Sequence, residues 1–249
     1  MPLLEILGCR VDDVDLAEAA ARIAAFARES GSRRVVTLGT EMIVHARRDA
    51  AYRAVVNSAD LVVADTIGVV YASRLYGMPL RGRVAGIELL ERLCACAARE
   101  SLPIYLLGAA PGVAEAAGAA LTARHPGLRV AGTRDGYFAP AQASEVAAAI
   151  RRSGACILFA ALGFPKQEYF LADWLGASGA GAGMGVGGSF DVLAGRLPRA
   201  PETFRRLGLE WLYRLLREPR RWRRQLALPT FAWLVVLERL RAKKGTRSS

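Results

Sequence analysis

Short apolar runs alternate with longer helical segments along most of this 249-residue sequence. Two short strands are predicted at 3–7 and around Val11, and later apolar runs predict strands at 35–38, 61–64, 104–107, 128–131, 157–161 and 183–186. Helical periodicity predicts helices near 41–50, 68–76, 86–99, 112–124, 142–152 and 166–175. A helix between two strands lets both run in the same direction. This order therefore predicts an α/β fold with a largely parallel, Rossmann-like sheet and helices on both faces.

Charge is distributed unevenly along the chain, which has 34 Lys and Arg against 23 Asp and Glu, a net charge of +11. Residues 196–249 contain 15 of the basic and 4 of the acidic residues, so the charges of residues 1–195 balance. This asymmetry predicts two units, an α/β body at 1–195 and a basic helical appendage at 196–249. A cationic appendage indicates a polyanionic partner, which is nucleic acid, an anionic membrane surface or a diphosphate.

Tryptophans are interleaved with arginines in the appendage, notably Trp222 and Trp233 around the basic run 220–224. Indole rings at headgroup level and guanidinium groups on phosphates favour a helix that lies in an anionic membrane interface. The apolar run 226–237 is too short to span a bilayer. Packing of Trp211 on the body is the alternative. Aromatic rings also stack on bases, but the body, which has no net charge and a glycine-rich ligand edge, argues against a nucleic-acid partner.

The four cysteines form no CxxC pair and occur in apolar segments, which predicts buried, reduced thiols. No signal peptide is recognisable at the N-terminus, so we expect a cytoplasmic protein that reaches the inner face of the membrane peripherally. Asp13 and Asp15 resemble part of a metal-binding Asp-x-Asp motif, but Glu18 follows Asp15 at capping-box spacing ahead of a helical run. A helix cap is therefore the favoured interpretation, and we expect no metal and no cofactor.

Glycine-rich and polar segments follow the predicted strands at 37–41, 108–112, 135–138, 163–168 and 185–191, and Asp65 follows the strand 61–64. Ligands of open α/β sheets bind beyond the carboxyl ends of the strands, and glycines let the backbone approach a phosphate. A nucleotide or sugar nucleotide is therefore the expected ligand. The donor-binding residues predicted in these segments include Gly108, Gly136, Tyr137, Gly187 and Asp191.

Two candidate motifs leave alternatives open. Gly183, Gly185 and Gly188 satisfy GxGxxG, but no acidic residue follows at the strand end where a dinucleotide binder needs one. Asp65 can be a general base at the ligand edge or the cap of the next helix, and Arg83 can be a phosphate partner or a surface charge.

Several segments together resemble the WecG/TagA/CpsF glycosyltransferases, glycosyltransferase family 26. They are TLGTEMIVHARRD, ADTIGVVYASRLYGMPLRGRVAGIELL, LLGAAPGVAEAA, HPGLRVAGTRDGYF, LGFPKQE, GVGGSFDVLAGRLPRAP and GLEWLYRLLREPRRWRR. The segments run in family order over roughly residues 5 to 230. The resemblance implies inverting, metal-independent transfer of an N-acetylmannosamine-type sugar from UDP to undecaprenyl-diphosphate-linked N-acetylglucosamine. Such a product belongs to wall teichoic acid or another surface polysaccharide.

The resemblance also implies roles for single residues. Asp65 takes the place of the family's proposed base and Arg83 that of its active-site arginine. Thr37 and Gly39 correspond to a Thr-x-Asn donor segment, and Gln167 to the glutamine of PKQE. The arginines that correspond to those meeting the acceptor diphosphate at the membrane are Arg214, Arg221 and Arg224.

Two departures from the family pattern lie close to the proposed base. Gly39 stands where the family usually has asparagine, and Thr66 stands where glycine is usual after the aspartate. Either one could change the donor sugar or lower the activity. The functional alternatives are an NAD(P)-type oxidoreductase and a non-catalytic basic membrane adaptor, and a homo-oligomer is possible in each case.

Overall fold

A computed structural model describes residues 4–206, 210–217, 222 and 226–245. Its centre is a six-stranded sheet in the order β4-β3-β8-β7-β5-β6, in which every neighbouring pair is parallel. The strands are β3 (Arg33–Leu38), β4 (Leu61–Ala64), β5 (Ile104–Gly108), β6 (Val130–Arg134), β7 (Ile157–Ala161) and β8 (Ala182–Gly185). The two short strands predicted at the N-terminus form a separate antiparallel hairpin of β1 (Leu4–Ile6) and β2 (Cys9–Val11), which turns at Leu7 and Gly8.

The helices that connect the strands are α1 (Leu16–Phe26), α2 (Thr40–Ala46), α3 (Ala50–Asn57), α4 (Ile67–Leu75), α5 (Gly86–Glu100), α6 (Val113–Arg124), α7 (Ala143–Ser153), α8 (Lys166–Ser178) and α9 (Ser189–Leu193). A short 3-10 turn (Pro140–Gln142) leads into α7. The C-terminal segment adds α10 (Glu202–Arg206), α11 (Glu210–Arg217) and α12 (Ala227–Gly245).

Alternation of side chains along the strands covers the sheet on both faces. Val35 and Val63 pack with α1, α5 and α6, whereas Val36 and Val62 pack on the opposite face with α2, α3 and α4. Leu158 extends that second face towards α7 and α8. The predicted parallel α/β fold with helices on both faces is confirmed.

Two differences between predicted and observed elements have a local cause. The helix predicted at 41–50 ends at Ala46, and α3, which was not predicted, starts at Ala50, because the Asp49 carboxylate accepts a hydrogen bond from the Tyr52 amide (2.9 Å). The strand predicted at 128–131 begins at Val130, because the Leu128 amide donates to the His125 carbonyl (3.0 Å) and still belongs to the preceding turn.

The acidic cluster near the N-terminus is used structurally. Asp15 caps α1 by accepting a hydrogen bond from the Glu18 amide (2.8 Å). Asp12 accepts from the Val62 amide (2.7 Å), and Asp13 from the Arg81 amide (2.8 Å). The cap interpretation is therefore confirmed, and each carboxylate has a role in joining loops to the body.

The four thiols are free, but their burial differs. Cys9 and Cys94 are buried, and burial raises the pKa of Cys9 to about 11 and that of Cys94 to about 12. Cys96 and Cys156 are partly exposed. The prediction of buried thiols is thus confirmed for the first two and wrong for the other two, of which Cys96 lies within α5 and Cys156 directly before β7.

The described part of the C-terminal segment contacts the body near the carboxyl ends of the strands. On α12, Phe231 and Val235 are buried against α2 and α4, and the Tyr76 hydroxyl donates to the Glu238 carboxylate. On α11, Glu210 pairs with Arg83. None of the helices within 4–206, 210–217 and 226–245 is long and apolar enough to cross a membrane.

Candidate active site

The carboxyl ends of the six parallel strands form one edge of the sheet. From β5 the chain crosses to β6, whereas from β7 it crosses to β8 on the other side, and β5 and β7 are neighbours. Such a reversal opens a crevice beyond the strand ends, where ligands of doubly wound sheets bind. The predicted donor-binding residues from Thr37 to Asp191 all lie at or just beyond this edge.

Glycines shape one wall of this crevice, at the ends of β5 and β6. Gly108 has a φ of 124°, and a Cβ there would lie 2.4 Å from the carbonyl of Ala161. The amide of Gly136 donates to the Ala109 carbonyl (2.9 Å), so the β6 loop packs directly on the β5 loop. The backbones of the two loops are therefore in direct contact at Gly108 and Gly136, where a larger residue would not fit without a shift.

Asp65 lies at the end of β4 and is partly exposed. Its Oδ1 accepts a hydrogen bond from the amide of Gly86 (2.6 Å), the first residue of α5. A Cβ on Gly86 would lie 3.5 Å from both Asp65 Oδ1 and Thr37 Oγ1, so these two side chains flank the same glycine. The residue at the N-cap position of α4 is Thr66, and the hydrogen bond of Asp65 goes to the start of α5 instead.

Arg83 lies on the segment that runs from α4 to α5, where the Val84 amide donates to the Ala64 carbonyl (2.8 Å) at the end of β4. The guanidinium is mostly buried and pairs with Glu210 of α11. Burial alone would lower the pKa of Arg83, but Glu210, Asp65 and Glu88 raise it above its ordinary value. Arg83 is therefore a permanent cation close to Asp65, among three carboxylates.

Thr37 and Gln167 both contact the glycine turn after β8. The Thr37 hydroxyl donates to the Gly185 carbonyl (3.0 Å), and Gln167 Oε1 accepts from the Gly187 amide (3.1 Å). The Gln167 side chain is buried, with the residue 3 % exposed. In this structure, both residues thus hold the backbone of the turn.

The two departures from the family pattern touch each other. A Cβ on Gly39 would lie 3.4 Å from Cγ2 of Thr66, across the ends of β3 and β4. Thr66 Oγ1 is buried and makes no hydrogen bond among the described residues. A side chain at residue 39 would therefore begin in van der Waals contact with the Thr66 methyl group.

The remaining predicted residues are less closely grouped. Tyr137 is 77 % exposed on the loop after β6, and Asp191 is partly exposed on α9. Arg214 belongs to α11, but its side chain lies outside the described part of the structure, as do Arg221 and Arg224 altogether. The structure therefore brings together Thr37, Asp65, Arg83, Gln167 and Gly187, with Gly108 and Gly136 across the crevice.

Two acidic residues of the site were not predicted. Glu210 is one of the few acidic residues in a basic segment, which was a usable signal. Glu168 is 3 % exposed beside Gln167, and burial raises its pKa, opposed by the Gln167 hydrogen bond. Its place in the PKQE segment was the available sequence signal, and nothing else separated it from an ordinary first-turn glutamate. Among the described residues, no group of three His, Cys, Asp or Glu side chains is placed to hold a metal ion.

Residues 4–245 match the Glycosyl transferase WecG/TagA/CpsF family. The match covers nearly the whole chain, including the appendage. The chain belongs to this family.

Two curated relatives are similar to the chain over 210 residues, which is 84 % of this chain and 81 % of each relative. Both are named N-acetylglucosaminyldiphosphoundecaprenol N-acetyl-beta-D-mannosaminyltransferase. The relative from Bacillus spizizenii is 39 % identical, and that from Bacillus subtilis 36 % identical.

A family of glycosyltransferases agrees with the predicted transferase and not with an oxidoreductase or a non-catalytic adaptor. Two of the three GxGxxG glycines, Gly183 and Gly185, have packing roles that explain them without a dinucleotide. A Cβ on Gly183 would lie 2.6 Å from Leu175 of α8, and one on Gly185 would lie 2.5 Å from Gln167 Nε2. These glycines let α8 approach the sheet closely.

Proposed function

We propose that this glycosyltransferase moves N-acetylmannosamine, or a closely related sugar, from UDP to undecaprenyl-diphosphate-linked N-acetylglucosamine. The names of the two Bacillus relatives support the reaction. The observation on which the proposal rests is the juxtaposition of Asp65 and Arg83 at the ligand edge of the sheet. A carboxylate beside a permanent cation provides a base and a phosphate partner at one place.

In the proposed mechanism, Asp65 accepts the proton of the acceptor hydroxyl as that oxygen forms a bond to the anomeric carbon. The bond between the anomeric carbon and the UDP oxygen breaks in the same step, which inverts the configuration. The Gly86 amide fixes one carboxylate oxygen of Asp65 and so sets its orientation. Arg83 neutralises the charge that develops on UDP, because its planar guanidinium can bind two phosphate oxygens.

The residues proposed to bind the donor are those around the crevice: Thr37 and Gly39 after β3, Gly108 and Gly136 after β5 and β6, Gln167 and Gly187 around the β8 turn, and Tyr137 and Asp191 at its margins. For most of these residues, binding would occur through the backbone that they shape. Tyr137 is the exception, because its exposed ring is free to stack on a base.

Residues 196–249 are proposed to act as the unit that meets an anionic membrane surface and the acceptor diphosphate through Arg214, Arg221 and Arg224. Exposed indole rings support this, since Trp211, Trp222 and Trp233 are 37 %, 53 % and 63 % exposed. Exposed tryptophans near arginines suit the interface between headgroups and water. The protein would then work at the inner face of the cell membrane, as a monomer or a homo-oligomer.

The experiment measures UDP release from UDP-N-acetylmannosamine with and without a lipid-diphosphate-N-acetylglucosamine acceptor. We expect acceptor-dependent release by the wild type and a loss of about 10² or more in Asp65→Asn, because the amide can still accept from Gly86 but cannot take a proton. Asp173→Asn on the exposed side of α8 is the control for the loss of one charge. Near-normal turnover by Asp65→Asn would remove Asp65 from the role of base.

A further inference from the structure

Glu168 and Gln167 form a buried polar pair at the first turn of α8. Both are 3 % exposed, and Gln167 Nε2 donates to Glu168 Oε1 at 2.8 Å. The other end of the Gln167 amide, Oε1, accepts from the backbone amide of Gly187 at 3.1 Å. A continuous path of hydrogen bonds therefore leads from Glu168 to the glycine turn after β8.

The chemistry of the two side chains fixes the direction of this path. An ionised carboxylate can only accept hydrogen bonds, whereas a primary amide has one donating and one accepting end. Glu168 therefore holds the donating end of Gln167 and leaves the oxygen facing Gly187. Without a carboxylate at 168, the amide of Gln167 could turn over and present two N–H groups to the Gly187 N–H.

The packing around the pair leaves Gln167 little freedom to move. A Cβ on Gly185 would lie 2.5 Å from Gln167 Nε2 and 2.9 Å from its Cδ, so the amide rests on bare backbone. Thr37 holds the carbonyl of the same glycine from the other side, at 3.0 Å. The turn is thus clamped between Thr37 and Gln167.

Tyr52 of α3 completes the buried cluster behind Glu168. Its hydroxyl and Glu168 Oε2 make no hydrogen bond of normal geometry among the described residues. Burial raises the pKa of Tyr52, and the neighbouring Glu168 raises it further. Burying a carboxylate beside a phenol and an amide is costly, and such a group is retained where it fixes a structure that matters.

We propose that Glu168 is a positioning residue for the donor site, which acts by orienting Gln167 so that the Gly187 amide is held inward and the turn at 185–188 keeps one conformation. The link to the donor rests on the proposed function. The orientation of the turn itself does not, so the two can be tested separately.

The test compares wild type, Glu168→Gln, and the double swap Gln167→Glu with Glu168→Gln. The swap keeps both hydrogen bonds, because the carboxylate at 167 accepts from the Gly187 amide and from the side chain at 168. Ser178→Ala is the matched control: it lies at the other end of α8, is 1 % exposed, and loses a 2.6 Å hydrogen bond to the Leu175 carbonyl.

The first readout is hydrogen exchange of the Gly187 amide in protein labelled with 15N-glycine, which needs no ligand. We expect exchange about tenfold faster in Glu168→Gln, restored in the double swap and unchanged in Ser178→Ala. Unchanged exchange in Glu168→Gln would overturn the proposal, whatever the activity. So would equally fast exchange in Ser178→Ala, since that would report general loosening.

The second readout is the KM for the UDP-sugar, with kcat measured in parallel. We expect KM to rise about fivefold in Glu168→Gln while kcat stays within twofold; the swap is used only for the exchange readout, because Gln167 itself belongs to the proposed donor site. A fall in kcat alone would overturn the donor-site assignment. A wild type without donor turnover would refute the proposed function, and the exchange result would still decide whether Glu168 orients the turn.

Discussion

The contact between Gly39 and Thr66 makes a specific prediction about two substitutions. Gly39 has φ −103° and ψ 165°, which any residue adopts, so only space limits a side chain there. Its Cβ would be 3.4 Å from the Thr66 methyl, an ordinary van der Waals distance, so the three further atoms of an asparagine that extends towards Thr66 would overpack this buried position. We therefore expect Gly39→Asn to cost about 1–3 kcal/mol, the usual cost of overpacking a buried site.

Thr66→Gly should cost about 1 kcal/mol by itself. Threonine makes no capping hydrogen bond at the start of α4, and its hydroxyl has no partner among the described residues, so the loss is mainly backbone entropy and one methyl contact. In the double variant, glycine at 66 opens the space that asparagine at 39 needs. We expect the loss of unfolding free energy in the double variant to be smaller than the sum of the two single losses by about 1–2 kcal/mol.

Urea unfolding followed by circular dichroism measures this coupling in a double-mutant cycle. Gly82→Asn replaces Gly39→Asn in the control cycle, because a Cβ on Gly82 would meet nothing within 4 Å. Additivity within about 0.5 kcal/mol in the Gly39 cycle would refute the argument. The same variants can be assayed for the KM of the UDP-sugar, since the pair lies beside Asp65.

Three further predictions concern the appendage and the buried carboxylate. Glu210→Gln should tighten UDP binding about 5- to 30-fold in calorimetry, because UDP no longer has to break the mostly buried ion pair between Glu210 and Arg83, which is worth about 1–2 kcal/mol. The exposed residue Glu202 provides the control variant, Glu202→Gln. Equal UDP affinities of the two variants would contradict the prediction. Burial raises the pKa of Glu168 above its ordinary value of 4.5, so the contribution of this group to stability is present below pH 4.5 and is lost as the pH rises through the raised pKa. The free energy of unfolding of the wild type, measured relative to Glu168→Gln, should therefore fall over that pH range. A difference that does not change with pH would refute the raised pKa. Phe231→Ala should lower the free energy of unfolding by about 3 kcal/mol, because the ring is only 4 % exposed and packs against α2 and α4. Trp233→Ala should lower it by less than about 1 kcal/mol, because Trp233 is 63 % exposed. Similar losses for the two variants in denaturant unfolding would argue against the described packing of α12.

Most of the sheet was predictable because each strand is a short apolar run with its own periodic helix. Strand β4 was predicted with the correct limits, and β7 as well. Helix α3 was missed, since its start depends on a single hydrogen bond that the Asp49 carboxylate accepts from the Tyr52 amide. A cap of this kind competes with helical periodicity and changes no hydrophobic pattern.

The candidate site was predictable as a set of positions but not as a set of contacts. Parallel strands bring their carboxyl ends to one edge, so Thr37 and Asp65 could be expected there together. The sequence did not predict that Gln167 accepts a hydrogen bond from the Gly187 amide or that Arg83 forms an ion pair with Glu210. Those partners are 20 and 127 residues away in sequence.

By itself, the sequence determined the fold class, the ligand edge, the concentration of charge in the last 54 residues and, through its motifs, the glycosyltransferase family. These properties depend on local periodicity, composition and residue order, which are present in the unfolded chain. Only the tertiary structure decided three contacts. The Gly86 amide donates a hydrogen bond to Oδ1 of Asp65, Gly39 faces Thr66, and Glu168 is buried beside Gln167. Such contacts join segments that are distant in sequence, and their geometry exists only after the helices have packed on the sheet.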